Sequence, residues 1–197
     1  MDTYTASNNY KKEIYSATEK KGTAVETYAQ AEKTNNSSSQ TGNSGARKTE
    51  IAPNGIETKV YSRKEIEDFI KTEATKYGIE PTLISAIILA ESSFKPFNKN
   101  KRTGAAGLMQ LMPKTARSLG CNNPYDAKEN IKAGIKHFAR LFKMYNYNVT
   151  DTLCAYNFGE GNYNKFLRGE RKLPKETQDY APKIMKNYKD LGGTQLA

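Results

Sequence analysis

Glu91 is the residue whose setting most strongly suggests chemistry. It ends an apolar run at residues 84–90, so its carboxyl group falls at the end of a predicted apolar helix. Burial there disfavours the charged carboxylate, and the negative end of the helix dipole does the same. Both effects raise the pKa of the group, as a general acid working near neutral pH requires. The alternative is an ordinary capping or solvent-facing glutamate, so the residues around Glu91 must decide.

Later segments contain side chains that could complete such a site. The segment Thr103–Gly107 consists of small residues, which let a backbone approach a ligand closely. Gln110 follows with amide donors and an acceptor. Asn157 and Gly159 bound a turn that could present the neighbouring tyrosine in a cleft. Three side chains offer soft or aromatic surface suited to packing on a sugar ring: Met109, Met112 and Tyr156.

The elements that must position these residues are helices. Ser62 and Glu65 have the spacing of a capping box, and apolar residues then recur at helical spacing until Gly78 stops the run. Pro81 suits the first turn of the next helix, which carries Glu91 on the same face as several large aliphatic residues.

The second half of the chain has the same character. Pro113 predicts a short helix ending near Gly120, and Asp126 with Glu129 predicts a second capping box before the longest amphipathic helix. His137, on that helix, is expected to be a partly exposed surface residue without a catalytic role. Further helices are predicted at 151–156, 161–167 and 178–191. Alternating strand patterns are essentially absent, so the predicted fold class is all-α.

Composition predicts two regions. Residues 1–55 are interpreted as a flexible, low-complexity tail and linker, because their polar stretches cannot bury enough apolar surface to offset the entropy of ordering. Residues 56–197 are predicted to form one globular helical domain. A weak helical pattern through Tyr10, Ile14, Ala17 and Val25 leaves open a helix that orders on a partner.

The charge is also uneven. The formal net charge is +10, and most of it falls after residue 50. This excess predicts an anionic partner, which could be nucleic acid, a membrane surface or an acidic polymer such as a bacterial cell wall. No helix-turn-helix, zinc-finger or RNP-like pattern supports the nucleic-acid alternative, and no nucleic acid is expected. Plain solubility is the remaining interpretation of a basic surface.

Neither targeting nor metal motifs stand out. The N-terminus has no basic and apolar leader pattern, and no segment has the length of a membrane span. Cys121 and Cys154 are expected to be free, buried thiols rather than a disulfide. Without neighbouring histidines they make no metal site, and no cofactor is expected.

Taken in order, the motifs resemble the catalytic domain of the family 1 soluble lytic transglycosylases, goose-lysozyme-like enzymes of bacterial cell-wall turnover. The resemblance covers roughly residues 60–190. It is carried by Glu91-Ser92 with Phe94 and Pro96, by 104–113 with Thr115-Ala116, by Asn123-Pro124-Tyr125-Asp126, Asn130-Ile131 and Ala133-Gly134, by 155–159, and by Pro174, Glu176-Thr177 and Tyr180.

The resemblance implies a lysozyme-like fold with a cleft, and cleavage of the β-1,4 bond between N-acetylmuramic acid and N-acetylglucosamine in peptidoglycan. Glu91 would protonate the glycosidic oxygen and then, as a carboxylate, accept the proton of the muramoyl C6 hydroxyl. That hydroxyl attacks C1 of its own ring and leaves a 1,6-anhydro end. Ordinary glycoside hydrolysis uses two carboxylates, whereas an internal nucleophile removes the need for the second.

The resemblance also implies roles around Glu91. Ser92 and Gln110 would shape the site beside Gly107, Met109 and Met112 would pack on the sugar, and Tyr156 and Asn157 would face the cleaved bond. Glu176 and Tyr180 would close the cleft. Glu160 stands where proline is common in the family, which raises the hypothesis that it holds a water and permits some hydrolysis; a solvated loop charge is the alternative.

Three alternative functions stay open at this point: a hydrolytic muramidase, a wall-docking module of a flagellum, secretion apparatus or phage, and a basic nucleic-acid-binding domain. The predicted substrate lies outside the cytoplasmic membrane, and no classical leader is visible. Export by a specialised route or phage-type release is therefore expected, with the N-terminal tail as a candidate contact to an export or assembly apparatus.

Overall fold

Seven helices and one small hairpin make up the part of the chain that the computed structural model describes, residues 48–194. The prediction of an all-α fold is confirmed, with a minor β addition. The elements are β1 (Thr49–Ile51), β2 (Glu57–Lys59), α1 (Arg63–Thr75), α2 (Pro81–Ser92), α3 (Pro113–Ser118), α4 (Ala127–Met144), α5 (Val149–Phe158), α6 (Glu160–Leu167) and α7 (Lys175–Asp190).

Local signals set most helix starts. The Glu65 amide donates to Ser62 Oγ at 3.2 Å while Glu65 Oε2 accepts from the Ser62 amide at 2.8 Å, so the first capping box is present. Pro81 and Pro113 are the first residues of α2 and α3, where a missing amide hydrogen removes no intrahelical bond. Asp126 caps α4 as expected.

The prediction that Glu129 completes a capping box with Asp126 is wrong. Glu129 Oε2 accepts from the amides of Asn122 and Asn123, at 2.8 and 2.9 Å, instead of from Asp126. The loop before α4 turns back over the helix start and offers two amide donors of its own. A tertiary contact therefore replaces the local one.

The hairpin corrects the predicted boundary at residue 55. β1 and β2 pair antiparallel, with Glu50 opposite Thr58, and the turn between them spans that boundary. Ala52 is buried against Ala106 and Tyr125, and Thr58 Oγ1 accepts from Asn123 Nδ2 at 2.8 Å. Residues 48–55 thus belong to the folded domain. The predicted tail up to residue 47, with its candidate helix, lies outside the described residues.

α2 is the central helix. Its apolar residues are buried on nearly every side, and it packs mainly against α7 and also against α1. α5 lies between α7, α6 and α4. Cys121 and Cys154 are buried thiols and do not form a disulfide, as predicted. Between residues 48 and 194 no helix combines the length and apolar character needed to cross a lipid bilayer.

Candidate active site

Glu91 lies in the last turn of α2 and is partly buried. Its Oε1 accepts a hydrogen bond from the Tyr180 hydroxyl on α7 at 2.5 Å. Oε2 has no hydrogen-bond partner among residues 48–194, and it is not sealed from solvent. One carboxyl oxygen is therefore held in place by the protein, while the other is available to a ligand.

The surroundings of Glu91 hold the pKa of its carboxyl group near neutrality. Burial raises the pKa of Glu91 from its ordinary value of 4.5 to about 7. The hydrogen bond from Tyr180 and the positive charge of Lys183 act in the opposite direction, while the negative charge of Glu176 raises the pKa further. Since burial dominates, this carboxyl group can both give and take a proton at neutral pH.

The antiparallel packing of α7 on α2 brings these groups together. Lys183 Nζ donates to the Ala90 carbonyl at 3.4 Å, and Asn187 Nδ2 donates to the Ala86 carbonyl at 3.3 Å. Residue numbers therefore rise along α7 as they fall along α2. In this register Tyr180 comes opposite Glu91. Glu176 lies one turn earlier on α7 and is exposed, so it bounds the site without touching Glu91 through a hydrogen bond.

Ser92 fastens the end of α2 to the loop at 105–111. Its buried hydroxyl shares its single hydrogen between the Leu108 carbonyl at 2.8 Å and the Ile88 carbonyl at 3.1 Å. The chain then turns sharply through Ser93 and Phe94, both with positive φ. Ser92 is thus a positioning residue, because its hydroxyl is used within the protein.

Gly107 and Met109 are packing residues. A Cβ on Gly107 would lie 2.1 Å from the Pro124 carbonyl oxygen, and the φ of Gly107 is +80°. Met109 is fully buried against Gly134 of α4, where an added Cβ would lie 2.2 Å from the Met109 sulfur. The expectation that the Met109 side chain packs on a sugar is therefore wrong. The Met109 side chain instead fills space in the protein interior.

Asn130 of α4 organises the same loop from below. Its Oδ1 accepts from the Met109 amide at 2.7 Å, and its Nδ2 donates to the carbonyls of Ala106 and Pro124 at 3.1 and 3.0 Å. Asn130 is completely buried. The sequence places Asn130 in a motif but indicates no role for it; the available signal is an amide on the apolar face of α4.

Gln110 and Met112 remain at the surface of the loop. Gln110 has a positive φ of 45°, and its Nε2 donates to the Gly107 carbonyl at 2.8 Å and to the Asn98 carbonyl at 3.3 Å. Its amide nitrogen is thus directed to the backbone. Met112 is 46% exposed, so its side chain is free to contact a ligand.

Tyr156 and Asn157 support the site from α5. The Tyr156 hydroxyl donates to the Met109 carbonyl at 2.9 Å, and Asn157 Oδ1 accepts from Thr177 Oγ1 at 2.8 Å. Burial and the nearby charge of Glu91 raise the pKa of Tyr156 well above its ordinary value, so it stays protonated. These bonds place α5 between the loop and α7.

His137 is partly exposed, as predicted. Its ring lies 5.4 Å from that of Tyr156, and burial lowers the pKa of His137 to about 4. It is therefore neutral at physiological pH and packs behind Tyr156. Glu160, near it, forms an ion pair with Arg140 at 2.6 Å.

Comparisons with known proteins show which family this sequence matches. The transglycosylase SLT domain model matches residues 68–178. A transglycosylase of Enterobacteria phage PRD1 is 35% identical over 124 residues, which cover 63% of this chain and 43% of the phage protein. A membrane-bound lytic murein transglycosylase F of Desulfosudis oleivorans is 32% identical over 112 residues, covering 53% of this chain and 24% of that protein. The chain thus spans less than half the length of these relatives.

The fold has solved counterparts. The 70 kDa soluble lytic transglycosylase of Escherichia coli superposes with a TM-score of 0.58 at 25% identity, over 65% of this chain and 24% of the larger protein. The matched family region runs from α1 into α7 and contains Glu91, the loop and Asn157. Because that region exceeds half of the sequence, the chain belongs to the transglycosylase SLT domain family.

Proposed function

We propose that this protein is a peptidoglycan lytic transglycosylase in which Glu91 is both the general acid and the general base. The observation that carries the proposal is the state of Glu91. Tyr180 holds one oxygen at 2.5 Å, the other oxygen is open, and burial raises the pKa to about 7. The relatives named as murein transglycosylases agree in the type of substrate.

The proposed reaction needs one carboxyl group and no water. Protonated Glu91 donates its proton to the glycosidic oxygen as the bond from that oxygen to C1 of N-acetylmuramic acid breaks. The Tyr180 hydroxyl stays bonded to Oε1 and stabilises the resulting carboxylate. The carboxylate accepts the proton of the C6 hydroxyl while the C6 oxygen bonds to C1. Glu91 is then protonated again, and the product carries a 1,6-anhydro end.

The remaining predicted residues act around this centre. Met112, which is exposed at the start of α3, is the proposed sugar contact of the loop. Tyr156 and Asn157 hold the loop and α7 at a fixed separation through their hydrogen bonds. Glu176 bounds the site on the α7 side. The roles of Ser92, Gly107, Met109 and Gln110 are to shape the backbone beside Glu91.

Product analysis tests the proposal. Purified peptidoglycan digested with the wild-type chain is expected to give muropeptides with 1,6-anhydro ends, detected by mass spectrometry. Glu91→Gln, which keeps the shape and removes the transferable proton, should lower the rate at least about a thousandfold. Binding of glycan strands by the variant shows that it is folded. Cleavage that survives the substitution would refute the assignment of Glu91, and cleavage by neither protein would favour a wall-docking module.

The same digest separates transglycosylation from hydrolysis. The Arg140 ion pair engages the Glu160 carboxylate, which argues against its holding a nucleophilic water. We therefore expect anhydro products alone, from the wild type and from Glu160→Gln alike. Reducing ends that disappear in Glu160→Gln would instead support the hydrolytic role of Glu160.

The site of action follows from the substrate. We infer that the protein works at the bacterial cell wall, and the similarity to a phage transglycosylase supports release by a phage-type or other specialised route. The N-terminal tail is the proposed contact to an export or assembly apparatus. If deletion of residues 1–47 leaves extracellular recovery from the native host unchanged, that role is wrong.

A further inference from the structure

The segment that follows Glu91 has an unusual charge. Between Ser92 and Tyr125 there is no aspartate or glutamate, while six cationic residues are present. We call these six residues the basic lip: Lys95, Lys99, Lys101, Arg102, Lys114 and Arg117. A fifth of the cationic residues of the chain thus lies in one acid-free stretch next to the catalytic carboxyl group.

The fold brings the loop residues of the basic lip close to its two residues on α3. Asn100 Oδ1 accepts from the amides of Arg102 and Thr103, at 3.0 and 3.1 Å, and so forms a turn with Lys101 and Arg102 exposed. A Cβ on Gly104 would lie 3.5 Å from the Pro113 side chain. The turn therefore lies against the start of α3, the helix that carries Lys114 and Arg117.

The cations of the basic lip have no carboxylate partner in the part of the chain that the structure describes. All six are exposed, and within residues 48–194 none forms an ion pair with a carboxylate. Elsewhere the exposed helices pair their charges locally. Lys64 with Asp68 and Lys186 with Asp190 are examples, each four residues apart. The positive potential of the lip is therefore left for an external anion.

The lip is also joined to the reaction centre. Asn98 Nδ2 donates to the Glu91 carbonyl at 3.4 Å, and the Asn98 carbonyl accepts from Gln110 Nε2 at 3.3 Å. The loop that carries Lys99, Lys101 and Arg102 thus starts at the end of the catalytic helix. An anion bound there would lie on the same side of the protein as the reacting sugar.

We propose that the basic lip binds the carboxylates of peptide stems on the glycan strand. The inference rests on the proposed function, because it is the muramic acid residue at the cleaved bond that carries a stem. On a stem-bearing strand, the stem therefore reaches the protein together with the bond that reaches Glu91. Lysine and arginine bind carboxylates through charge-assisted hydrogen bonds, and an arginine can form two such bonds to the same carboxylate. A phosphate-rich wall polymer is the competing anion, and the experiment below separates it from the stem carboxylates.

Two substrates and two matched variants test the proposal. The substrates are soluble glycan strands that carry stem peptides, free of phosphate polymers, and the same strands after an amidase has removed the stems. The test variant is Lys101→Gln with Arg102→Gln. The control is Lys71→Gln with Lys189→Gln, which makes the same charge change on α1 and α7. Lys189 follows Tyr188, which contacts Glu80 at the opposite end of α2 from Glu91.

The measured quantity is kcat/KM on stem-bearing strands divided by kcat/KM on stem-free strands. We expect this ratio to fall about fivefold in the Lys101/Arg102 variant, mainly through KM, and to stay at the wild-type value in the control. An unchanged ratio, or equal losses on both substrates, would overturn the proposal. So would a variant that loses binding to polyglycerol phosphate while keeping the wild-type ratio.

Binding separates failure of this inference from failure of the proposed function. If the wild type cleaves neither substrate, the proposed function fails, and fluorescently labelled strands still report on the lip. Tighter binding of stem-bearing than of stem-free strands, reduced in the Lys101/Arg102 variant alone, supports the lip. Equal affinity for both strands overturns it.

Discussion

Glu91 differs from an ordinary helix-end glutamate in the pKa of its carboxyl group, which is raised to about 7. Its shift results from opposing influences: burial raises the pKa, whereas Tyr180 and Lys183 lower it. A group held near neutrality by opposing influences responds measurably when one of them is removed.

Glu91 should cost the protein stability at alkaline pH. The pKa of Glu91 is about 7 in the folded protein and 4.5 ordinarily, so below pH 4.5 the group is neutral in both states and carries no penalty. Between pH 4.5 and 7 the unfolded chain ionises Glu91 while the folded protein keeps it protonated, so stability falls, and the loss is complete once the pH is above the folded pKa of about 7. Glu91→Gln avoids this loss. We expect the variant to exceed the wild type by about 2 kcal/mol in free energy of unfolding at pH 8.

Urea unfolding at pH 4 and pH 8 checks this expectation. The two proteins should be similarly stable at pH 4, which serves as the internal control. An equal difference at both pH values would show that the effect of Glu91→Gln comes from packing and not from its ionisation.

Glu176 and Lys183 should tune the pH profile in opposite directions. Free enzyme must hold Glu91 protonated, so kcat/KM is expected to fall as the pH rises past its pKa. Removing the positive charge in Lys183→Gln raises that pKa and moves the alkaline limb to higher pH. Removing the negative charge in Glu176→Gln moves it to lower pH.

Each variant is the control for the other, because both exchange a charged side chain for glutamine on the same helix. The measurement is kcat/KM against pH at constant ionic strength. Shifts of the same sign would contradict the electrostatic explanation.

At the scale of elements, the loop at 105–111 depends on close packing against α4. The Asn130 side chain forms hydrogen bonds with two backbone groups of the loop and with the Pro124 carbonyl. Gly107 lies directly against the same side chain. Tyr156 of α5 fixes the Met109 carbonyl from the other side. The loop is therefore held by two helices and by Ser92 of α2, which makes it a rigid wall for the site.

Gly107→Ala should damage this wall. The added Cβ would lie 2.2 Å from Asn130 Nδ2 and 2.1 Å from the Pro124 carbonyl oxygen, at a positive φ. We expect a loss of about 3 kcal/mol in free energy of unfolding, together with lower activity. The matched control is Gly120→Ala, which has nearly the same φ, +79°, with no atom within 4 Å of its Cβ.

Thermal and urea unfolding of both variants separate the two contributions. Gly120→Ala should lose about 1 kcal/mol from backbone strain alone. Similar losses in the two variants would show that contact with Asn130 contributes nothing.

At the scale of the whole molecule, helix packing and net charge have separate roles. The antiparallel pair α2 and α7 forms the centre of the described fold and places Tyr180 at Glu91. The net charge of +10 acts on the surface and at a distance. It should guide the protein to an anionic wall without affecting the reaction itself.

Binding to intact cell-wall sacculi should therefore depend on salt. Using Glu91→Gln to prevent cleavage, we expect retention of the full chain to fall several-fold between about 0.05 and 0.5 M salt, as screening shortens the range of the charges. Sucrose at matched osmolarity is the control and should leave retention unchanged. Retention that is insensitive to salt would show that the net charge does not contribute to binding.

Local chemistry made much of the protein predictable. The Ser62 and Glu65 capping box, Pro81 and Pro113 at helix starts, and the apolar run before Glu91 depend on neighbours within a few residues. Such short-range interactions can be inferred from the sequence. The pattern therefore predicted an all-α fold and a carboxylate at a helix end. The motif order was sufficient to indicate the family.

The tertiary structure decided what depends on distant partners. It turned Glu129 to the loop at 122–123, buried Met109 against Gly134, and engaged Glu160 with Arg140. It also placed Tyr180, 89 positions away, on Glu91. Spacing alone could not predict these contacts, because they follow from the register of packed helices. By itself the sequence determined the helices and a candidate acid; packing decided which oxygen of that acid is held, which is free, and why its pKa lies near neutrality.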